Sequence, residues 1–314
     1  MRQGTILQLL TVGCMTCPGY ALLASTLLIS ATATAASPPE PSPVLVAARQ
    51  ELDRSMRELS DQAVPPYFMS YEISEARAAS LSSSFGLLQS REANTQRLLD
   101  IDLRVGSYEL DNTRALRGNA AGMGRWQRQF SMIPMPLEDD PDVLRDVLWL
   151  QTDRSYKEAL EALTKVETDV TVMVEAEDQS ADFSRQSPER FVGPILPLDI
   201  DLADWAARLK RYSAPFADYS DIYMANAILT ASVDTRWYVN SEGTEIQTSQ
   251  GNYRLFISAA SRAEDGMTLP RFESFHAFRP EDLPDDSEIM ALVDRMIDEL
   301  LALREAPVVD PYTG

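Results

Sequence analysis

The stretch WYVNSEGTEI at residues 237–246 constrains the fold of this chain more than any other. Its first arm is aromatic and β-branched, a polar turn closes on Gly243, and a second arm begins at Thr244. Asn, Ser and Gly suit such a turn because they tolerate positive φ or bond locally to the backbone. The pattern therefore predicts a β-hairpin, and the rest of the chain is expected to build a sheet around it.

Apolar residues at helical spacing predict four amphipathic helices. They are expected at residues 44–62, from residue 141 through Leu163, at residues 202–219 and at residues 285–303. The buried face of the second helix is expected to carry Val143, Val147, Leu150, Tyr156, Leu160 and Leu163. Trp205, Tyr212 and Phe216 share one face of the third helix, for which a core role is the default and a binding groove the alternative.

Alternation of apolar and polar residues predicts the strands. In the first half, residues 67–73, 79–88 and 99–105 are expected to form an antiparallel meander with one wet face. In the second half, the strands are residues 222–233, the hairpin, 253–259 and 271–278. A connector at about residues 175–197 joins the halves, and the three glycines of residues 117–124 indicate a loop. The predicted class is α+β, with antiparallel sheets and packed amphipathic helices in two similarly ordered halves.

Residues 1–36 predict a signal peptide, because a basic start precedes an apolar run at residues 21–29 and small residues near a cleavage site. Residues 37–43 then form a Pro-rich linker to a domain at residues 44–306. The expected location is the periplasm or outside the cell, with no membrane span after signal removal.

Cys14 and Cys17 both fall within the predicted signal peptide. Their C-x-x-C spacing is interpreted as chance, since thiol chemistry needs a folded, electropositive setting. Lipidation of Cys14 is the less favoured alternative.

The charge balance argues against nucleic acid as a partner. The chain carries 28 Lys and Arg against 48 Asp and Glu, a formal net charge of −20, so its field repels phosphate backbones.

Candidate catalytic groups are sparse. His276 is the only histidine, and a packed or edge role is preferred to a ligand or base role. The chain has no H-E-x-x-H, G-x-S-x-G or phosphate-binding G-x-x-x-x-G-K pattern. Asp100 and Asp102 share a strand face and could serve as acid and base or bind calcium, although Arg104 beside them favours a solvated pair. The remaining acidic pairs, for which helix capping is preferred, are Asp139 with Asp140, Asp199 with Asp201 and Asp285 with Asp286.

The aromatic residues beside the hairpin turn indicate a candidate peptide-binding site. If that turn lies at a sheet edge, an extended peptide can bind there as an added strand, whereas simple packing is the alternative. The candidate peptide-edge residues are Trp237, Tyr238, Asn240 and Gly243.

Several motifs together resemble the TldD/PmbA family of known or predicted zinc metallopeptidases, closest to its exported branch. The resemblance covers about residues 44–314 and rests on residues 240–244 (NSEGT), 265–267 (DGM), 105–108 (VGSY) with 111–113 (DNT), and 306–314 (APVVDPYTG). In the family, the last of these leads into a C-terminal half with an H-E-x-x-x-H metal motif and a later cysteine ligand. Residues 307–314 would then be the truncated start of that catalytic domain, and no metal ligand is carried over to this chain.

The resemblance implies a non-catalytic N-terminal portion that lies on the substrate side and takes part in assembly. Its expected partners are an unfolded peptide and a catalytic half or a homo- or hetero-dimer partner, and zinc belongs to the full-length family, with no cofactor expected in this chain. The alternative is a self-sufficient periplasmic interaction or peptide-binding protein with no enzymatic role. A hydrolase that uses Asp100 and Asp102 is a third hypothesis.

Overall fold

The computed structural model describes residues 39–114, 132–172 and 180–307, with the side chains of residues 170–172 left aside. The predicted signal peptide, both cysteines and the loop at residues 117–124 lie outside the described residues. So do residues 173–179 of the connector and residues 308–314.

Within the described residues, seven strands form one sheet. They are β1 (Pro66–Ser84), β2 (Leu87–Val105), β3 (Ile133–Pro134), β4 (Arg190–Val192), β5 (Ile222–Asn240), β6 (Glu245–Arg262) and β7 (Thr268–Ala277). Their order is β3-β2-β1-β5-β6-β4, and β7 pairs with the far end of β6. All pairings are antiparallel except that of β4 with β6, so the predicted α+β class is confirmed.

Four helices of the described residues cover one face of this sheet. They are α1 (Pro43–Leu59), α2 (Pro141–Val172), α3 (Leu202–Ser213) and α4 (Asp286–Glu305). Side-chain caps fix where the helices begin, because Ser42, Asp140, Asp201 and Asp285 accept hydrogen bonds from the first free N–H groups of α1, α2, α3 and α4. None of the described helices is long and apolar enough to cross a membrane.

Two hydrophobic cores lie side by side along the strands. The core under α1 and α2 takes Tyr71, Leu99 and Val239 from three strands, and the core under α3 and α4 takes Leu81, Leu229 and Leu255. Every strand residue named here has an odd number, and alternate strand residues share a face. Both helix pairs therefore cover the same face.

A polar row separates the two cores. On β2 and β1, Arg97 donates from Nε to Glu75 at 2.8 Å, and both side chains are almost fully buried. On β5 and β6, the hydroxyls of Thr235 and Ser249 lie 3.0 Å apart. Glu75 pairs in register with both Arg97 and Thr235, so the row runs straight across the sheet.

The sequence predicts a three-strand meander here, but the structure has only the two strands β1 and β2 in its place. Residues 67–73 and 79–84 belong to the single strand β1, and the turn at Phe85 and Gly86 falls inside the predicted strand 79–88. Glu75 and Arg77 break the alternation of apolar and polar residues, so the sequence indicated a gap between two strands at this point. Because Arg97 neutralises Glu75, the strand continues through them. The opposite face, with its serines and alanines, is the wet face that the alternation predicts.

The predicted buried face of α2 is shifted by one residue near its start. Leu144 and Leu148 are fully buried, whereas Val143 and Leu150 are each 42% exposed. The sequence places apolar residues on both of these adjacent rows, so spacing alone does not select between them. Farther along, Tyr156 and Leu163 are buried as predicted.

Candidate functional site

The predicted hairpin is confirmed, but its expected position at a sheet edge is wrong. Tyr238 pairs with Glu72 of β1 on one side and with Ile246 of β6 on the other. Trp237 is only 2% exposed, and its Nε1 donates to Ser42 Oγ at 2.8 Å. Because β1 and β6 occupy both sides of β5, Trp237, Tyr238 and Asn240 have no free strand edge to offer.

The hairpin turn is built around Asn240. Its Oδ1 accepts hydrogen bonds from the backbone N–H groups of Glu242 at 3.1 Å and Thr244 at 2.8 Å. Gly243 adopts a φ of +99°, which side-chain-bearing residues rarely adopt. Ser241 holds the turn to Met69 of β1, since its N–H donates to the Met69 carbonyl and its Oγ accepts from the Met69 N–H. The turn therefore holds the β5–β6 hairpin to the β1–β2 hairpin.

Two motifs distant in sequence meet beside this turn. Tyr108, from the VGSY segment, donates its hydroxyl to Glu242 Oε1 at 2.8 Å. The Phe183 ring lies parallel to the Tyr108 ring with centroids 6.0 Å apart, and the Tyr67 ring lies at 4.5 Å. The guanidinium of Arg185 lies 4.6 Å from the Tyr108 ring centroid. The structure thus brings together residues that sequence reasoning singled out only as separate motifs.

Asp111 is the buried centre of this cluster. Its Oδ2 accepts from the Tyr67 hydroxyl at 2.6 Å and from Arg104 Nη1 at 3.0 Å, and its Oδ1 accepts from the Thr113 N–H and hydroxyl at 2.7 Å each. Burial alone would raise the pKa of Asp111, but the hydrogen bonds from Tyr67, Thr113 and Arg104 outweigh it and hold the pKa below its ordinary value. Burial and the bond to Asp111 raise the pKa of Tyr67 well above its usual range. Because both carboxylate oxygens of Asp111 accept hydrogen bonds, this cluster fits a structural role better than that of an acid–base site.

Asp100 and Asp102 line an open groove of about 500 Å³ between β2 and α2. Arg104 donates to Asp102 Oδ2 from Nε and Nη2, both at 3.0 Å, which confirms the predicted neutralisation by that arginine. Glu158 and Arg154 of α2 line the opposite side, so the groove is polar and carries both charges. Both residues therefore line the same groove, and Asp102 is held in an ion pair with Arg104.

The other candidate groups have structural placements. Trp205 is 6% exposed and Tyr212 and Phe216 are fully buried, as the core interpretation predicts. His276 lies exposed on β7, opposite Arg254 of β6, and so is an edge residue. Of the acidic pairs, Asp140, Asp201 and Asp285 accept hydrogen bonds from N–H groups in the first turns of their helices.

The described residues do not fit a zinc site. Within residues 39–114, 132–172 and 180–307, no three His, Cys, Asp or Glu side chains are grouped so that they could hold a metal ion. Zinc sites draw on such ligand sets, and the exposed His276 belongs to no such group of three in this part of the chain.

The sequence prediction missed the outer side of β2 at residues 91–96. All six residues are exposed, while β3 pairs only with Leu98 and Leu99. The Met135 N–H donates to the carbonyl of Arg97 from this outer side. Since backbone groups of alternate residues point the same way, those of Arg91, Ala93 and Thr95 also point outward. The signal in the sequence that could have indicated this edge is that residues 91–96 are mostly polar and contain no proline.

Comparisons with known proteins found structures but no sequence relatives. No protein-family profile and no curated protein sequence matches the chain. The similar solved structures include one described as a modulator of a DNA gyrase from Thermotoga maritima, at 12% identity and a TM-score of 0.49. A second protein with that description, from Bacteroides thetaiotaomicron, has 9% identity and a TM-score of 0.48, and TldE from Thermococcus kodakarensis has 10% and 0.45.

These matches cover 83%, 82% and 81% of this chain for the Thermotoga, Bacteroides and Thermococcus structures, and 50%, 49% and 47% of theirs. The chain thus spans about half the length of each of these structures.

Proposed function

We propose that this chain is the non-catalytic, substrate-side and assembly portion of an exported TldD/PmbA-like zinc metallopeptidase. Its task in this proposal is to hold an unfolded peptide in an extended conformation for a catalytic part. The observation that carries the proposal is the outer side of β2 at residues 91–96, called here the β2 edge, which no strand of the described residues pairs with. An exposed strand edge binds an extended peptide through main-chain hydrogen bonds and therefore accepts many sequences.

The β2 edge has the features of an acceptor strand. Natural proteins usually protect such edges with proline, with charged residues, especially lysine, or with a bulge. Residues 91–96 (REANTQ) contain neither proline nor lysine, and their two charged residues, Arg91 and Glu92, stand together at one end. The opposite border of the sheet differs, because β7 carries Pro270. Hence the β2 edge offers an uninterrupted row of outward donors and acceptors, and β7 does not.

Buried contacts hold the β2 edge in place. Arg97, at its end, donates to Glu75 and also from Nη1 to the carbonyl of Pro136 at 3.0 Å. Arg97 Nη2 lies 2.7 Å from Asp139 Oδ1, and the guanidinium lies 5.5 Å from the ring centroid of Trp237. A strand edge fixed in this way loses little conformational entropy when a peptide binds.

In this proposal the described residues supply binding and alignment, and they supply no metal ligand. The zinc of the full-length family would be held by the catalytic part, which an extended peptide would reach from the β2 edge. The export of this chain, expected from residues 1–36, is part of the same proposal.

The test measures binding of a labelled unfolded protein, fluorescein–β-casein, by fluorescence polarisation. We expect saturable binding, and we expect Ala93→Pro and Thr95→Pro each to weaken it at least about tenfold, because each removes an outward N–H and adds a ring at the edge. Ser274→Pro, a matched change on β7, should leave the affinity unchanged. Hydrogen exchange should show new protection at the amides of Arg91, Ala93 and Thr95 when casein is added.

Absence of saturable binding, or equal binding by the Ala93→Pro, Thr95→Pro and wild-type chains, would contradict the proposal. Circular dichroism and urea unfolding of each proline variant show whether the variant has lost only its binding edge or its whole fold.

A second function is supported by α4. If the chain needs a catalytic partner, the apolar face of residues 288–304 is expected to be left uncovered. In the structure that expectation is wrong, since Ile289, Val293 and Leu300 are fully buried against the sheet. This burial favours the alternative of a self-sufficient periplasmic peptide-binding protein. Co-purification with a TldD/PmbA-like chain that carries H-E-x-x-x-H, expressed from the same source, decides between the two.

A further inference from the structure

We propose that the β2 edge binds the amino-terminal end of a peptide, antiparallel to β2, with the ammonium group of the peptide beside the acidic segment at residues 138–142. This inference rests on the proposed function and names the substrate class of the same site, namely chains with a free amino terminus. It follows from how one end of the β2 edge is closed and from the charge at that end.

β3 and the segment after it close one end of the β2 edge, called here the closed end. β3 occupies the neighbouring stretch of β2, and the Met135 N–H donates to the carbonyl of Arg97 at 2.9 Å. The chain then crosses over Arg97, whose Nη1 donates to the carbonyls of Pro136 at 3.0 Å and Glu138 at 3.4 Å. A bound peptide therefore cannot continue in line past residue 96. Toward Arg91, by contrast, no described strand pairs with this side of β2.

Antiparallel pairing places the amino terminus of the peptide at the closed end. β3 itself runs antiparallel to β2, with Ile133 opposite Leu99. A peptide that continues in the same direction begins opposite residue 96 and runs toward Arg91. A parallel peptide would instead place its carboxylate at the closed end, and parallel pairing is also slightly less stable per residue.

The charge at the closed end suits an ammonium group. Residues 138–142 (EDDPD) carry four carboxylates and no basic side chain, and Glu138 and Asp142 are exposed. Arg97 cancels at most one of these charges through its ion pair with Asp139. The dipole at the start of α2 offsets only about half of another. The remaining charge attracts an ammonium group and repels a carboxylate, which favours the antiparallel direction.

The first experiment compares versions of one peptide with free and blocked ends. The probe is the hexapeptide Ala-Thr-Val-Thr-Ser-Ala, and each version displaces fluorescein–β-casein from the full chain in a fluorescence polarisation assay. We expect acetylation of the amino terminus to weaken displacement at least about fivefold, because it removes the ammonium charge. Amidation of the carboxyl terminus should change it less than about twofold, because six residues of a strand place that end roughly 17 Å away, beyond a Debye length.

Removal of charge at the closed end tests the assignment to residues 138–142. Glu138→Gln combined with Asp142→Asn should bring the free and acetylated peptides to within about twofold of each other. Asp294→Asn, a matched change at an exposed acid on α4, should leave the preference for the free amino terminus unchanged. Urea unfolding of each variant shows whether its fold is intact.

A distance measurement tests the direction of binding. In a Cys14→Ser, Cys17→Ser background, a spin label on Gln89→Cys marks the end of the edge near Arg91. A second label is attached to a cysteine side chain at the first or the last position of the peptide, so that both peptide ends stay free. In antiparallel binding the label at the last position should lie closer by roughly 17 Å. A parallel peptide would give the opposite order.

Equal displacement by the free and acetylated peptides would overturn this inference while peptide binding at the β2 edge stood. Tighter binding of the acetylated peptide, or a first-position label that lies nearer to position 89, would overturn it as well. Absence of binding by every peptide and by casein would overturn the proposed function itself, so the two failures are distinguishable.

Discussion

Tyr108 and Glu242 are joined by a 2.8 Å hydrogen bond across 134 residues of sequence, and they come from two of the motifs on which the family resemblance rests. The bond fastens the segment after β2 to the turn between β5 and β6. Each of these two motifs thus supplies one partner of a single contact.

Replacing Tyr108 with Phe should lower the free energy of unfolding by about 1 to 2 kcal/mol, since a hydrogen bond to a charged acceptor is lost while the ring contacts remain. Urea unfolding measures the change. Tyr223→Phe is the control, because that hydroxyl makes only an exposed contact of 3.4 Å with Thr268 and its loss should have little effect. A double-mutant cycle with Glu242→Gln should give a coupling energy clearly different from zero; additive effects would mean that the bond contributes nothing.

Asp111→Asn should destabilise the protein by roughly 3 to 5 kcal/mol at neutral pH, because it removes a buried charge and leaves Arg104 without that partner. The pKa of Asp111 is lowered in the folded state, so the contribution of its ionised form is fully present above the unfolded value of about 3.9. It is lost as the pH falls through the folded-state pKa. The stability difference between wild type and variant should therefore be constant down to about pH 4 and shrink below it. A difference that does not change with pH would show that the charge of Asp111 is not responsible.

Gly106→Ala should be strongly destabilising, by about 2 to 4 kcal/mol. Gly106 has a φ of +105°, and a Cβ there would lie 2.5 Å from the carbonyl oxygen of Leu110. Gly266→Ala separates the two causes, because Gly266 has a φ of +91° but no atom within 4 Å of an added Cβ. The free energy of unfolding of that variant should fall by only about 1 kcal/mol, and thermal unfolding of both variants should show the difference between them. Equal losses would show that backbone strain alone is involved.

The sequence predicted most of the elements but less of their arrangement. Periodicity located the four helices that the structure describes, and the caps at Asp201 and Asp285 followed from residue type. Local pattern did not reveal that β5 would lie inside the sheet, because strand order depends on contacts between distant segments such as Ser241 and Met69. The β2 edge was missed for the same reason, since a strand edge is defined by which neighbours a strand lacks. Glu75 shows a third limit, because its buried position depends on Arg97, 22 residues away.

The four long strands run beneath both helix pairs, and this has a consequence for how the chain holds together. Trp237 and Val239 of the second half help to fill the core under α1 and α2, while Leu81 of the first half helps to fill the core under α3 and α4. Each half thus contributes side chains to the interior of the other. Cutting the chain between residues 180 and 189 would yield two pieces that each lack part of both interiors, and they would reach the native structure only as a complementing pair.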